Sequence, residues 1–485
     1  MNHRVLPDYG LMLRAGGLAI LWAALLWMNP LQNASAQGFG VYEQGTCAMA
    51  RAGTGVADSC NDASGIFYNP ALLAGSEGWT ISGGATLIAA GGSFTDDITG
   101  RTTDLQNSPI PVPHLYASYG FSPEWAVGLG VYVPYGLATE WDRSFDGAFE
   151  GYDNSVESIY IQPTVSYQFD DRISIGGGPI MVIGAVELNQ LVDLSSQELG
   201  DSGITFGQLG VPFHTAFADS QLEGSGTIGF GGHFGIKYKV TDRIRLGGRM
   251  LFPVQLDYEG DATFDQIETG LPLTEQFRNI IGLPGGAFPG IDNPTLDDFL
   301  GGESPLVAGP FADGAALSDQ SLETSLTMPA QVVLGVSVDV TERLTVLADY
   351  QWTQWSSFDE IVLEFENQDE PVIRQENYDD TNAIRLGAEY QLADAWMLRG
   401  GYLFNQAAAP DEVVTPLLPE NDRNHITVGV GWQASDMLRL DASYQYLGQN
   451  DRRGRTRGLA EGRPDTNGLY SFDAHLVGLT FALSL

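Results

Sequence analysis

Short polar turns and long loops alternate along this 485-residue chain, and that rhythm limits its fold more than any single motif does. Tight turns stand at "FSPEW" (121–125), "FDDR" (169–172), "VTDR" (240–243), "VTER" (340–343), "LADAW" (392–396) and "ASDM" (434–437). Between them lie long segments at roughly 94–108, 138–154, 190–217, 261–322, 364–380, 408–423 and 449–472. Six turns alternating with seven loops delimit fourteen strands whose outer ends both fall on the short-turn side. An even strand number with short turns on one side and long loops on the other is the pattern of a transmembrane β-barrel. Most segments between the breaks reach the 9–11 residues that a tilted strand needs to cross a bilayer.

The segments alternate with period two. In "RIRLGGRMLFPV" (243–254), Ile244, Leu246, Met250, Phe252 and Val254 share one face, and Arg243, Arg245 and Arg249 the other. "ITVGVGWQ" (426–433) and the closing "HLVGLTFALSL" repeat the alternation. A soluble sandwich would also alternate, so the opposite faces decide. Lys237, Arg245, Arg249, Arg385, Arg399 and Arg439 share phase with His233, Asp339, Asp349, Glu389 and Asp441. A dry sandwich core does not hold that many ions, because buried unpaired charge is costly, whereas a barrel lumen does. Trp79, Trp125, Trp141, Tyr350, Trp352, Trp355, Trp396 and Trp432 fall near strand ends, where an interfacial girdle is expected.

The chain opens with Arg4, Arg14, an apolar run from Leu18 to Met28 and Ala34-Ser35-Ala36. These are the parts of a signal peptide over 1–36. The run is too short to span a membrane. Export with two cysteines, Cys47 and Cys60, is compatible with one disulfide, two buried thiols being the alternative. A net charge of −38 argues against nucleic acid as a partner. "GDSG" (200–203) is too common a loop tetrapeptide to mark a hydrolase, and the six histidines show no metal-ligand spacing. No catalytic residue, metal or cofactor is expected, which leaves an outer-membrane lipase or esterase and a structural adhesin as remote alternatives.

"QGFGVYEQGTCAMARAGTGVADSCNDASGIFYNPALLAG" (37–75) resembles the N-terminal hatch of FadL-type long-chain fatty-acid transporters, at Phe39, Arg51, Asn69, Pro70 and Ala71 among others. "GLGVYVPYGLATEW" (128–141) is similar to the family's third strand, and blocks 327–361 and 398–432 to later strand pairs. Aromatic-hydrocarbon uptake proteins of the toluene type share these blocks.

The resemblance implies an all-β fold: a fourteen-stranded antiparallel barrel over 77–485, plugged by a hatch over 37–76. It also implies a place in the outer membrane of a Gram-negative bacterium, with both termini periplasmic, and a monomer in contact with outer-membrane lipid. The cargo would be a hydrophobic small molecule, a fatty acid or else an aromatic or aliphatic hydrocarbon. A capture groove is expected in loops 190–217 and 261–322, at Val211, Phe213, Phe217, Phe277, Ile280, Ile281, Leu283 and Phe288. Lys237, Arg245 and Arg249 are candidate partners for a cargo carboxylate. Pro134 and Gly136, one without a backbone donor and the other without a side chain, are expected to open a lateral gap, both with lumen-facing phase. The two cysteines and the final Leu485, where barrels of this kind end in an aromatic residue, depart from the family pattern.

Overall fold

The computed structural model describes residues 38–199, 203–280, 288, 291–301, 309–454 and 467–485. The leader expected over 1–36 lies outside the described residues.

The period-two segments form the strands that their turns delimit. They are β1 (Gly78–Asp96), β2 (Ile110–Gly120), β3 (Trp125–Glu140), β4 (Asp153–Gln168), β5 (Ile173–Asp193) and β6 (Ala216–Thr241). Two interrupted strands follow: β7 (Ile244–Leu251, resuming at Val254–Gln266) and β8 (Gln320–Met328, resuming at Gln331–Asp339). The rest are β9 (Leu344–Thr353), β10 (Thr381–Ala393), β11 (Trp396–Asn405), β12 (Arg423–Gln433), β13 (Leu438–Gln449) and β14 (Gly468–Ser484). Each pairs antiparallel with its neighbour, and β14 closes on β1 from Thr80↔Ser484 to Asp96↔Gly468. Closure leaves the sheet without a terminal edge strand. No helix among the described residues is long and apolar enough to cross a membrane.

The outer face is an apolar belt. Ile426, Val428 and Trp432 on β12, and Val477, Leu479 and Phe481 on β14, are exposed. The belt ends where prolines interrupt the strands. Beyond Pro253 the outward residues of β7 are Gln255, Asp257, Glu259 and Asp261, all exposed. β5 and β6, at 21 and 26 residues, likewise run past the length needed for a crossing. Inside, the expected ions meet. Arg399 lies 2.7 Å from Asp441, and Arg245 reaches Asp339 at 2.7 Å and Asp58 at 2.9 Å.

Three expectations need correction. Val254 points inward and is fully buried, because Phe252 and Pro253 both face outward at the break in β7, which flips the parity beyond it while the register against β6 and β8 is unchanged. Trp141 and Trp355 are not girdle residues. Trp141 is buried against Phe145 and donates to the Pro416 carbonyl at 3.0 Å, and Trp355 is wholly enclosed. Trp79, Trp125, Tyr350, Trp396 and Trp432 do face outward.

Residues 38–74 run inside the barrel. They include α1 (Thr46–Ala50), α2 (Gly65–Tyr68) and a 3-10 turn at Pro70–Leu73. A Cys47–Cys60 disulfide joins two turns of this segment, with Cα atoms 6.1 Å apart. Strand glycines make room for it. A Cβ at Gly247 would lie 1.9 Å from the Val56 carbonyl, and one at Gly401 would lie 2.7 Å from the Ala52 Cβ. Asn69 fixes the exit toward β1. Its Oδ1 accepts from Ala71 N–H at 3.0 Å, while its Nδ2 donates to the carbonyls of Val56 (2.6 Å) and Ile236 (2.9 Å). Pro70 sets the turn, and the Ala71 carbonyl accepts from Ser174 at 2.9 Å. Arg51, buried, donates to the carbonyls of Thr54 and Asp58. Leu485 pairs with Trp79 at the short-turn end, whereas Gly38 lies beside Trp355, just past β9 on the long-loop side.

Candidate functional site

The wall is least complete between β2 and β3. Their pairing runs from Gly120↔Ala126 to Leu115↔Val131 and stops there. On its other side β3 stays paired to β4, but Val133 and Pro134 together oppose Ile159 alone. This extra residue is a β-bulge, at the position where proline removes a donor. The N-terminal segment takes over the backbone groups that the break releases. Val41 N–H donates to the Pro134 carbonyl at 2.8 Å, and Gly136 N–H to the Phe39 carbonyl at 2.9 Å. The Gln44 amide bridges both backbone groups of Val133.

The bulge also corrects one expectation. Tyr135 is fully buried and so takes the inward phase, which moves Gly136 out of it. A Cβ at Gly136 would rest beside the side chains of Val133 and Val41, at 3.8 and 4.0 Å.

Beside the break lies a cavity of about 480 Å³. Its inner wall includes Phe39, His114, Arg423 and His425, and it reaches Leu115 and Ile159, which belong to the exposed outer face. A smaller cavity of about 90 Å³ lies among Val156, Leu222, Tyr258, Leu326 and Phe358. Phe39, Leu137, Val156 and Leu418 line both. The Phe39 ring is held edge-on by Trp355 and Phe358, at 4.8 and 5.6 Å between centroids.

The loop between β11 and β12 secures the start of this segment. The buried Glu420 carboxylate accepts backbone N–H bonds from Gly38 (2.6 Å), Ala408 (2.9 Å) and Ala409 (2.7 Å). Burial pushes its pKa above the usual carboxylate range, against the neighbouring Arg423 and these bonds. Asp422, two residues further along that loop, is pushed up to about 6, chiefly by burial.

The carboxylate candidates do not gather here. Arg245 is taken up by Asp58 and Asp339, and Arg249 by Gln331 and the Phe67 carbonyl. Lys237 sits near the short-turn end of β6, and none of the three lines either cavity. Neither Arg423 nor Glu420 is among the residues singled out by sequence. Arg423 was legible in principle, since it shares the inward phase of His425 and Thr427.

The loop residues expected to form an open groove pack together instead. Val211, Phe217, Phe277 and Phe288 are buried in one cluster with Phe206, Leu273, Leu296 and Phe299. The cluster includes α4 (Leu296–Leu300) and draws on α3 (Glu275–Ile280). Apolar side chains on neighbouring loops gain by covering each other. Phe213 is left exposed and stacks on His214. Ile281, Leu283 and the Ile280 side chain lie outside the described residues.

Among relatives, outer membrane protein P1 of Haemophilus influenzae is 22% identical over 443 residues, covering 86% of each chain. A 47 kDa outer membrane protein of Pasteurella multocida is 25% identical, covering 86% of this chain and 88% of its own. A long-chain fatty acid transport protein of Escherichia coli is 24% identical, covering 84% and 86%. The fold matches that of a Pseudomonas aeruginosa FadL homologue at a TM-score of 0.73 and 21% identity, over 92% of this chain and 100% of the other. The Pseudomonas putida toluene transporter TodX matches at 0.65 and 18%, over 93% and 99%. The profile of the outer membrane protein transport proteins (OMPP1/FadL/TodX) matches residues 31–485. With its closed barrel and its N-terminal segment bonded to the break in the third strand, this chain belongs to that family of outer-membrane transport proteins.

Proposed function

We propose that the protein takes up hydrophobic molecules, long-chain fatty acids foremost, and releases them sideways into the membrane between β2 and β3. The observation that carries this reading is the larger cavity. It runs from the apolar interior to exposed residues of the lipid-facing wall, at the point where the ladder is broken. A greasy solute gains nothing from a water-filled pore. A route that keeps its surface covered retains roughly 25 cal/mol per Å² of apolar area. Residues 37–76 act as the hatch. Cargo is first captured at the loop cluster around Phe277 and Phe217, whose packing must loosen to admit it, and then passes through the two cavities that share Phe39. Relatives named for fatty acids and a structural neighbour named for toluene both fit an apolar path, and the smaller cavity, with no lysine or arginine in its lining, also suits a hydrocarbon. Such a path needs no catalytic group and no cofactor.

The test is to straighten β3. Pro134→Val with Gly136→Thr restores a donor and fills the space beside Val41. Uptake of a hydrophobic substrate by cells should fall at least about tenfold, with binding to the purified protein unchanged. Unaltered uptake by the correctly inserted variant would send the cargo elsewhere, most simply past a displaced hatch into the periplasm.

A further inference from the structure

We propose that Arg423 is the anchor for the carboxylate of a single-chain fatty acid, whose tail lies along the larger cavity toward the break between β2 and β3. This deepens the transport reading and rests on it.

Arg423 opens β12 and is 8% exposed. Among the described residues it is the one lysine or arginine that lines either cavity. Its side chain makes no hydrogen bond or ion pair among those residues, and its Nε is buried without a partner. Other lumen guanidiniums are engaged: Arg245, Arg399 and Arg439 each meet a carboxylate within 3 Å. Arg385 also has orphaned nitrogens, but it lies over the Tyr42 ring, away from both cavities. A guanidinium withdrawn from water and left unpaired is costly to keep. Its one ring contact, the Phe472 face at 5.4 Å, orients the plane without neutralising the charge.

Two acids are near enough to act on it, Glu420 and Glu43. Both are committed elsewhere. Glu420 holds the three backbone N–H groups already described, and Glu43 accepts from Gln445 (2.6 Å) and from Tyr42 N–H (2.9 Å). Arg423 therefore feels acid fields but keeps its donors for a ligand. A planar fork of donors matches a carboxylate.

The cavity wall then sets the direction of the tail. From β12 it passes Leu447 on β13, Phe472 and Leu476 on β14 and Ile88 on β1 before it reaches the unpaired stretch of β2. Those side chains are apolar, and about 480 Å³ falls within the usual range of small-molecule sites. With its head on Arg423, a fatty acid points its tail at the wall break, so it would enter the bilayer tail first.

The experiment compares hexadecanoate with hexadecan-1-ol, binding each to the purified full-length protein at pH 7.5. The unmodified protein should prefer the acid by about tenfold or more, the scale of a charge-assisted pair. Arg423→Met should bring the acid down to the affinity of the alcohol and leave the alcohol within about twofold. Arg423→Lys should recover part of the preference, and this variant together with the unmodified protein decides the matter if the methionine variant does not fold. Equal affinity of the two ligands for the unmodified protein would overturn the anchor while leaving the transport reading intact. So would an Arg423→Met variant that weakens acid and alcohol alike, which would make Arg423 a packing residue. Binding of neither ligand to the unmodified protein would overturn both.

Discussion

At the scale of single residues, the loop ahead of β12 concentrates acid in a buried place. Asp422 accepts one long bond from Ala407 N–H at 3.2 Å, and burial holds its pKa near 6. The sign follows from that direction. A carboxyl raised in the fold contributes stability that is complete below its ordinary value near 4 and is lost as pH climbs through about 6. Thermal unfolding of the unmodified protein should therefore shift to lower temperature between pH 4 and pH 7 by more than that of Asp422→Asn. The two should coincide at pH 4. Asp422 is about half enclosed, so the difference at pH 7 should stay within about 2 °C. Parallel curves for the two proteins would show that the buried acid does not titrate in this window.

At the scale of elements, the N-terminal segment has little regular structure of its own. Its helices are one turn long and capped weakly, and α1 and α2 have no side-chain cap bond. Segments this short are not stable alone, so the barrel wall and the Cys47–Cys60 link hold them. Closing a loop of thirteen residues' separation is worth roughly 3 kcal/mol in the chain-entropy picture. The denatured, unreduced protein should therefore react with no thiol reagent, and Cys47→Ser with Cys60→Ser should make residues 45–62 exchange amide hydrogens faster while the strands stay protected. Two titratable thiols, or unchanged exchange in the double variant, would remove this link from the account.

At the scale of the whole molecule, the barrel ladder closes without help from the segment inside it, since every pair from β1 to β14 is strand to strand apart from the break beside β3. Deleting residues 38–60 should thus leave a folded barrel. It would also leave the ions Arg245 and Arg439 without their partners at Asp58 and the Cys60 carbonyl, in a lumen now open to water. Planar-bilayer recordings should show clearly higher conductance for the deletion than for the intact chain. A deletion that folds and stays as closed as the intact protein would mean that strands and loops seal the lumen by themselves.

The sequence alone determined the number of strands, the position of every short turn and the lipid-facing parity of regular strands such as β12 and β14. Those features follow from local periodicity and turn chemistry, which do not depend on distant neighbours. Tertiary structure decided what happens at the prolines. The parity flip after Pro134 arises because a bulge is counted against a partner strand, and a single strand read by itself carries no such count, while the flip after Pro253 arises where Phe252 and Pro253 both turn outward. It also decided that Trp141 and Trp355 turn inward, that the loop aromatics cover one another, and that Arg423 rather than Arg245 or Arg249 keeps its donors unclaimed. Phase brings a side chain into the lumen. Whether it is paired there depends on residues far away in sequence, as with Asp58 and Arg245, which meet across 187 positions.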